Sequence, residues 1–264
     1  PVPLEPPCVV AEFPTSPLLL EFRADQVLER EDLVPLFLRQ ELALLHDDVV
    51  DGSGLRRGKQ TANLIWGNPA TVLVGDFLFS RAFELMVEDG SLKVLRILSH
   101  ASAVIAEGEV NQLTAQRQID TDEDHYLEII AAKTAALFAA ACRVSPVVAE
   151  ASEDTELALE CYGRNLGIAF QLTDDVIDYA SDTATMGKGV GDDFRDGKMT
   201  LPVILAYARG SEADRAFWRS AIGGERISDD DLAEATRLLK DTDALADTVE
   251  RALAVREEIA ERDA

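Results

Sequence analysis

The chain has 264 residues, with 25 Lys and Arg against 49 Asp and Glu, a formal net charge of −24, and 47% hydrophobic residues. A chain of this length buries roughly 70–75% of the surface its unfolded form exposes, so a core requires neither disulfides nor a structural metal. The negative charge excludes nucleic acid as a natural partner, because phosphate-backbone affinity comes from Lys and Arg. No apolar run reaches the 18 or so residues of a transmembrane segment; Arg143 and Pro146 interrupt the best candidate.

Residues 1–30 carry Pro1, Pro3, Pro6, Pro7, Pro14 and Pro17, which disfavour a regular helix. They contain no basic start of the kind that opens a secretory signal. The three cysteines, Cys8, Cys142 and Cys161, include no C-x-x-C pair of zinc-ligand spacing, and the chain is expected in the cytoplasm. From about residue 69 to 205, apolar residues recur at helical spacing, as in Val72, Val74, Phe77, Leu78, Ala82, Phe83, Leu85 and Met86. Breaks fall at Gly67-Asn68-Pro69, Asp89-Gly90 and Gly187 to Gly197. An all-α protein is predicted, with long antiparallel helices around a common core. Ser228, before Asp229-Asp230-Asp231, reads as the cap of the first of two amphipathic tail helices.

Two acidic clusters carry the chemistry. The first is Asp47-Asp48-Val49-Val50-Asp51 after the apolar Leu42 to Leu45; the second is Asp174-Asp175-Val176-Ile177-Asp178 after Gly167-Ile168-Ala169-Phe170-Gln171. On a helix each set of three carboxylates shares one face. Such a face repels itself, and burial makes the repulsion steeper unless cations are present. Hard oxygen ligands of this kind suit Mg²⁺, which keeps waters and bridges protein carboxylates to a substrate phosphate. One such cluster in an acidic protein reads as a solvated helix face; two on apolar helices read as a metal-dependent site. Arg56, Arg57 and Lys59 follow the first, and Lys188 and Lys198 follow the second in a glycine-rich loop, a pattern suited to a diphosphate held between cations and basic side chains. Salt bridges to the same aspartates are the alternative use of these basic residues.

The stretch Leu44-Leu45-His46-Asp47-Asp48-Val49-Val50-Asp51, then Leu55-Arg56-Arg57-Gly58-Lys59 and Val74-Gly75-Asp76, resembles the first aspartate-rich region of trans-isoprenyl diphosphate synthases. Gly167 to Tyr179, continuing through Gly187-Lys188-Gly189-Val190-Gly191-Asp192-Asp193-Phe194 to Lys198-Met199-Thr200-Leu201-Pro202, resembles the second. The long-chain members, the octaprenyl and decaprenyl diphosphate synthases, are the most similar. The resemblance implies an antiparallel bundle around a deep central cavity, a single synthase domain across residues 1–264, and a homodimer. It implies Mg²⁺-dependent, head-to-tail condensation of isopentenyl diphosphate onto an allylic diphosphate primer.

By the same resemblance, Asp47, Asp48, Asp51, Asp174 and Asp178 bind about three Mg²⁺, with Asp175 in support. Arg56, Lys133, Lys188 and Lys198 hold the allylic diphosphate and Arg57 that of isopentenyl diphosphate, while Thr134 and Gln171, with Lys133, flank the allylic cation. His46 is expected to orient its helix. Ala43, one turn before Asp47, leaves the passage open for a long product, with Phe77, Phe79 or Phe83 as candidate floor. Residues 1–41 are atypical: the Gly-Gly-Lys-Arg-Leu-Arg-Pro segment expected before the first motif is not found there, as though a segment were missing. A short-chain farnesyl or geranylgeranyl diphosphate synthase is the nearest alternative, followed by a class I terpene cyclase and a non-catalytic partner subunit.

Overall fold

The computed structural model describes residues 45–52, 54–56, 59–180, 191–224 and 227–261, with side chains to residue 255. Contacts divide the chain into two compact units; among the described residues, one runs from 45 to Ser99 and the other begins at His100.

In the first unit, residues 45–50 form a helical segment, α1. A two-residue antiparallel hairpin follows, β1 Leu55–Arg56 with β2 Lys59–Gln60, in the register Leu55 to Gln60 and Arg56 to Lys59. A short α2, Ala62–Trp66, packs on α3, Asn68–Asp89. Gly67 between them has φ +81, a left-handed conformation that glycine tolerates, and Pro69 starts the helix where its missing N–H costs nothing. The buried positions of α3 are Thr71, Gly75, Ala82 and Met86, a single helical stripe. Helix α3 ends at Gly90, and α4, Leu92–Ala115, carries the chain into the second unit.

The second unit continues with α5 Glu123–Ile130, a π-helical turn Ala131–Ala135, α6 Ala136–Val148 and α7 Glu153–Ala180. Thereafter come α8 Asp192–Arg195, α9 Leu201–Arg209, α10 Glu212–Gly223, α11 Asp229–Asp241 and α12 Ala244–Glu261. Helix α7 packs along α6 and α12, and α9 against α12. The core gathers Phe194, Trp218, Leu172, Leu201, Val203, Ile222 and Leu239, with Phe194 and Trp218 edge to face at 5.8 Å. Gly163 and Gly167 allow close approach: an added Cβ would lie 2.4 Å from the Phe138 carbonyl oxygen and 2.5 Å from Ala135 Cα, respectively.

The all-α expectation holds, as does the cap at Ser228, whose side chain accepts from Asp231 N in a reciprocal capping box. The 55–60 hairpin is an addition the sequence did not suggest. Among the described residues no helix is long and apolar enough to cross a membrane.

Candidate functional site

In the first unit, α1 and the turn that follows it present their aspartates unequally. Asp48 is 4% exposed, while Asp51 is exposed. Arg56, brought back by the hairpin, donates from Nε to Asp48 Oδ1 at 2.6 Å, and Asn63 Nδ2 donates to the Asp48 carbonyl at 3.0 Å. This ion pair is the alternative use of Arg56; it occupies one of five guanidinium donors. His46 Nε2 lies 3.3 Å from the Val72 carbonyl oxygen and 3.5 Å from Asp76 Oδ1, the orienting role expected for it. A Cβ on Gly75 would stand 2.4 Å from that nitrogen, which accounts for glycine in Val74-Gly75-Asp76. Phe79 and Phe83 pack edge to face at 4.9 Å, and Phe77 is exposed. Ala43 and Arg57 lie outside the described residues.

In the second unit, α7 carries the second cluster. Asp175 and Asp178 are 2% and 7% exposed. Tyr126 on α5 donates to Asp175 Oδ2 at 2.5 Å, and Gln171, one turn earlier on α7, donates from Nε2 to Asp175 Oδ1 at 2.9 Å. Thr134 in the π turn donates to Gln171 Oε1 at 2.8 Å. Lys133 in the same turn pairs with Glu109 on α4 at 3.0 Å, and a Cβ on Gly108 would stand 2.8 Å from Lys133 N.

Asp178 accepts from the backbone N–H of Asp193 at 3.3 Å, while its carbonyl accepts from Gly191 N at 2.9 Å. Lys198 reaches Asp193 at 3.0 Å and Asp196 at 3.1 Å. The loop bearing Lys198 is fixed by the end of α4: Arg117 N donates to the Gly197 carbonyl at 2.8 Å and Gln116 Nε2 to the Asp196 carbonyl at 2.5 Å. Lys188 lies outside the described residues.

Burial dominates the electrostatics of the second cluster. Burial, then repulsion from Asp193, pushes Asp175 up to about 8; hydrogen bonds from Tyr126 and Gln171 oppose the shift. Burial and Asp193 push Asp178 up to about 7. Burial also holds the Tyr126 phenol well above its ordinary value, so it keeps its proton as a donor. Among the described residues no group of three or more His, Cys, Asp or Glu side chains is arranged to hold a metal unaided. Mg²⁺ does not require one, since it uses one or two carboxylates with waters and substrate phosphate. Asp175 and Asp178, whose pKa values are raised first by burial and then by repulsion from Asp193, are oxygen donors of the kind Mg²⁺ takes.

Residues 36–239 match the profile of the polyprenyl synthetase family. The chain belongs to that family. This polyprenyl synthetase family member is 49% identical over 192 residues to the octaprenyl diphosphate synthase of Haemophilus influenzae, covering 72% of this chain and 58% of that protein. It is 51% identical over 179 residues to the octaprenyl diphosphate synthase of Escherichia coli, covering 68% and 55%. The chain thus spans somewhat more than half the length of these relatives. Among solved structures, the polyprenyl synthase of Caulobacter crescentus, complexed with calcium and isoprenyl diphosphate, superposes with a TM-score of 0.84 at 49% identity, covering 88% of this chain and 71% of that one. This family member therefore has the all-α isoprenyl synthase fold.

Tyr126, Glu109, Asp193 and Asp196 contact the predicted site residues and carried no role in the motif reading. Asp192-Asp193 stood inside the second matched stretch and could have been singled out; Tyr126 and Glu109 carry no local signal.

Proposed function

We propose that this chain is a Mg²⁺-dependent prenyltransferase that condenses isopentenyl diphosphate head to tail onto an allylic diphosphate primer, giving a long-chain polyprenyl diphosphate. One observation carries the reading: Asp175 and Asp178 are buried together at raised pKa, with Lys198 held beside them through Asp193. Family membership and two octaprenyl diphosphate synthases at about half identity support it. The synthase named in the Caulobacter structure, with its calcium and isoprenyl diphosphate, supports the divalent-cation requirement.

In this reading Asp47, Asp48, Asp51, Asp174 and Asp178 supply oxygen ligands. Those carboxylates would hold about three Mg²⁺, which when bound would supply Lewis-acid stabilisation of the departing diphosphate. Lys133, Lys188, Lys198 and Arg56 hold the allylic diphosphate, and Arg57 that of isopentenyl diphosphate. Arg56 and Lys198 then exchange carboxylate partners for phosphate, which the guanidinium binds as a fork and the ammonium as a point charge. Thr134 and Gln171, beside Lys133, place oxygen dipoles where positive charge develops on the allylic carbon. The isopentenyl double bond attacks that carbon, and loss of a proton to diphosphate oxygen restores an alkene. Asp175 serves from behind, through Gln171. The exposed apolar residues Leu73, Phe77 and Val87 of α3 support a homodimer, formed by a single synthase domain acting in the cytoplasm.

The test is incubation of the chain with farnesyl diphosphate, labelled isopentenyl diphosphate and Mg²⁺. Products well beyond C20, abolished by a chelator, are expected. Products that stop at C15 or C20 would make it a short-chain synthase, and a cyclic hydrocarbon formed without isopentenyl diphosphate a cyclase. No incorporation in a folded chain would overturn the proposal.

A further inference from the structure

Four side chains from α5, the π turn and α7 form one hydrogen-bonded line. Thr134 donates to Gln171 Oε1, Gln171 donates to Asp175 Oδ1, and Tyr126 donates to Asp175 Oδ2. An amide can present either its oxygen or its nitrogen to a neighbour, and the surrounding network decides which. Here the decision is made at Asp175. Its Oδ1 is an acceptor, so the Gln171 NH₂ must face it, and the Gln171 oxygen then faces Thr134. The Tyr126 hydroxyl engages the other oxygen. With Tyr126 donating to Oδ2, Oδ1 is the oxygen that accepts from Gln171.

We propose that Tyr126 is a positioning residue that, by holding Oδ2 of Asp175, fixes the orientation of the Gln171 amide. The inference rests on the proposed function in one respect, the use of the Gln171 oxygen beside the allylic carbon. Tyr126 touches no reacting atom. Its ring is buried in the core of the second unit, and its hydroxyl crosses from α5 to α7 to reach Asp175. Without the hydroxyl the carboxyl group is held by one bond instead of two, and rotation about Cβ–Cγ frees the amide to turn. An amide turned end for end would present its N–H groups, the positive end of the dipole, where positive charge develops.

The π turn makes this line possible. In a regular α-helix the eight residues from Tyr126 to Thr134 make about 2.2 turns and leave the two side chains roughly 80° apart. The turn at Ala131–Ala135 takes up an extra residue, and both side chains meet α7 four residues apart, at Asp175 and Gln171.

Tyr126→Phe, Gln171→Ala and the double variant test this. Tyr126→Phe keeps the buried ring and is expected to lower kcat about tenfold, with KM for the allylic diphosphate and the Mg²⁺ midpoint within twofold of the parent. The double variant is expected to be no slower than Gln171→Ala alone, because the tyrosine acts only through the glutamine. A full tenfold further loss in the double variant, or an unchanged kcat in Tyr126→Phe, would overturn the proposal. A second readout does not depend on turnover: the side-chain NH₂ resonance of Gln171, assigned by its disappearance in Gln171→Ala, should be slow to exchange with solvent in the parent and at least tenfold faster in Tyr126→Phe. Equal exchange rates would overturn the proposal even if the chain proved inactive, whereas inactivity with slowed exchange would count against the proposed function alone.

Discussion

Gly167→Ala is expected to destabilise the protein and slow it together. The added Cβ would stand 2.5 Å from Ala135 Cα and 3.0 Å from Ala135 Cβ. Carbon atoms in ordinary contact sit about 3.5–4 Å apart, so α7 and the π turn must separate by about 1 Å. Overpacking of this kind costs about 1–3 kcal/mol, against which replacing a mid-helix glycine by alanine returns roughly 0.5–1 kcal/mol. About 1–2 kcal/mol of net destabilisation follows, which lowers Tm by roughly 3–6 °C for a chain of this size. Gln171 lies one turn further along α7 and bonds Thr134 at 2.8 Å; a separation of about 1 Å carries that contact beyond hydrogen-bond range. Turnover should therefore fall alongside Tm. Gly223→Ala is the control: it meets nothing within 4 Å and should raise stability by about 0.4–1 kcal/mol. Scanning calorimetry and the condensation assay read both effects. A Gly167→Ala protein as stable and as fast as the parent would refute the reasoning.

Asp175 and Asp178 hold their protons more tightly folded than unfolded, near 8 and 7 against 3.8. Their contribution is therefore fully present below about pH 4 and is lost as pH rises towards 8. Thermal melts without divalent ions should show that decline, Asp175→Asn should flatten it, and Mg²⁺ should raise Tm more at pH 8 than at pH 5. Arg56→Ala leaves buried Asp48 without its 2.6 Å partner, and urea titration should show a loss of about 1–3 kcal/mol. Ser228→Ala removes the capping box of α11 and should cost about 1 kcal/mol by the same titration with no change in turnover.

The acidic motifs were legible because carboxylates spaced three and four apart on an apolar helix repel one another at close range, a cost that bound cations relieve. The helical class was legible from the apolar spacing of α3, of which Ala82 and Met86 are buried while Val74 and Phe77 stay exposed; Thr71 and Gly75, which complete the buried stripe, were not part of that pattern. What the sequence hid depends on distant residues. Tyr126 finds Asp175 across 49 positions and Lys133 finds Glu109 across 24, and no local pattern announces either. The π turn was hidden for the same reason: Ala-Ala-Lys-Thr-Ala has good α-helical propensity, and the tight contacts of Gly108 and Gly167 on either side of that turn become visible only once the helices are packed. The hairpin at 55–60 was too short to show an alternating pattern. Arg56 was read as a phosphate ligand and stands in an ion pair with Asp48, a choice set by which anion is present.

The most direct measurement is calorimetric binding of an allylic thiodiphosphate, which resists ionisation and so separates capture from chemistry. It would be made with and without Mg²⁺ on the parent chain, Asp47→Ala and Asp174→Ala. Binding that requires Mg²⁺ and weakens by at least tenfold in each variant is the expected result. Equal binding without the metal, or full retention in either variant, would contradict the proposed role of the acidic clusters in metal-dependent diphosphate capture.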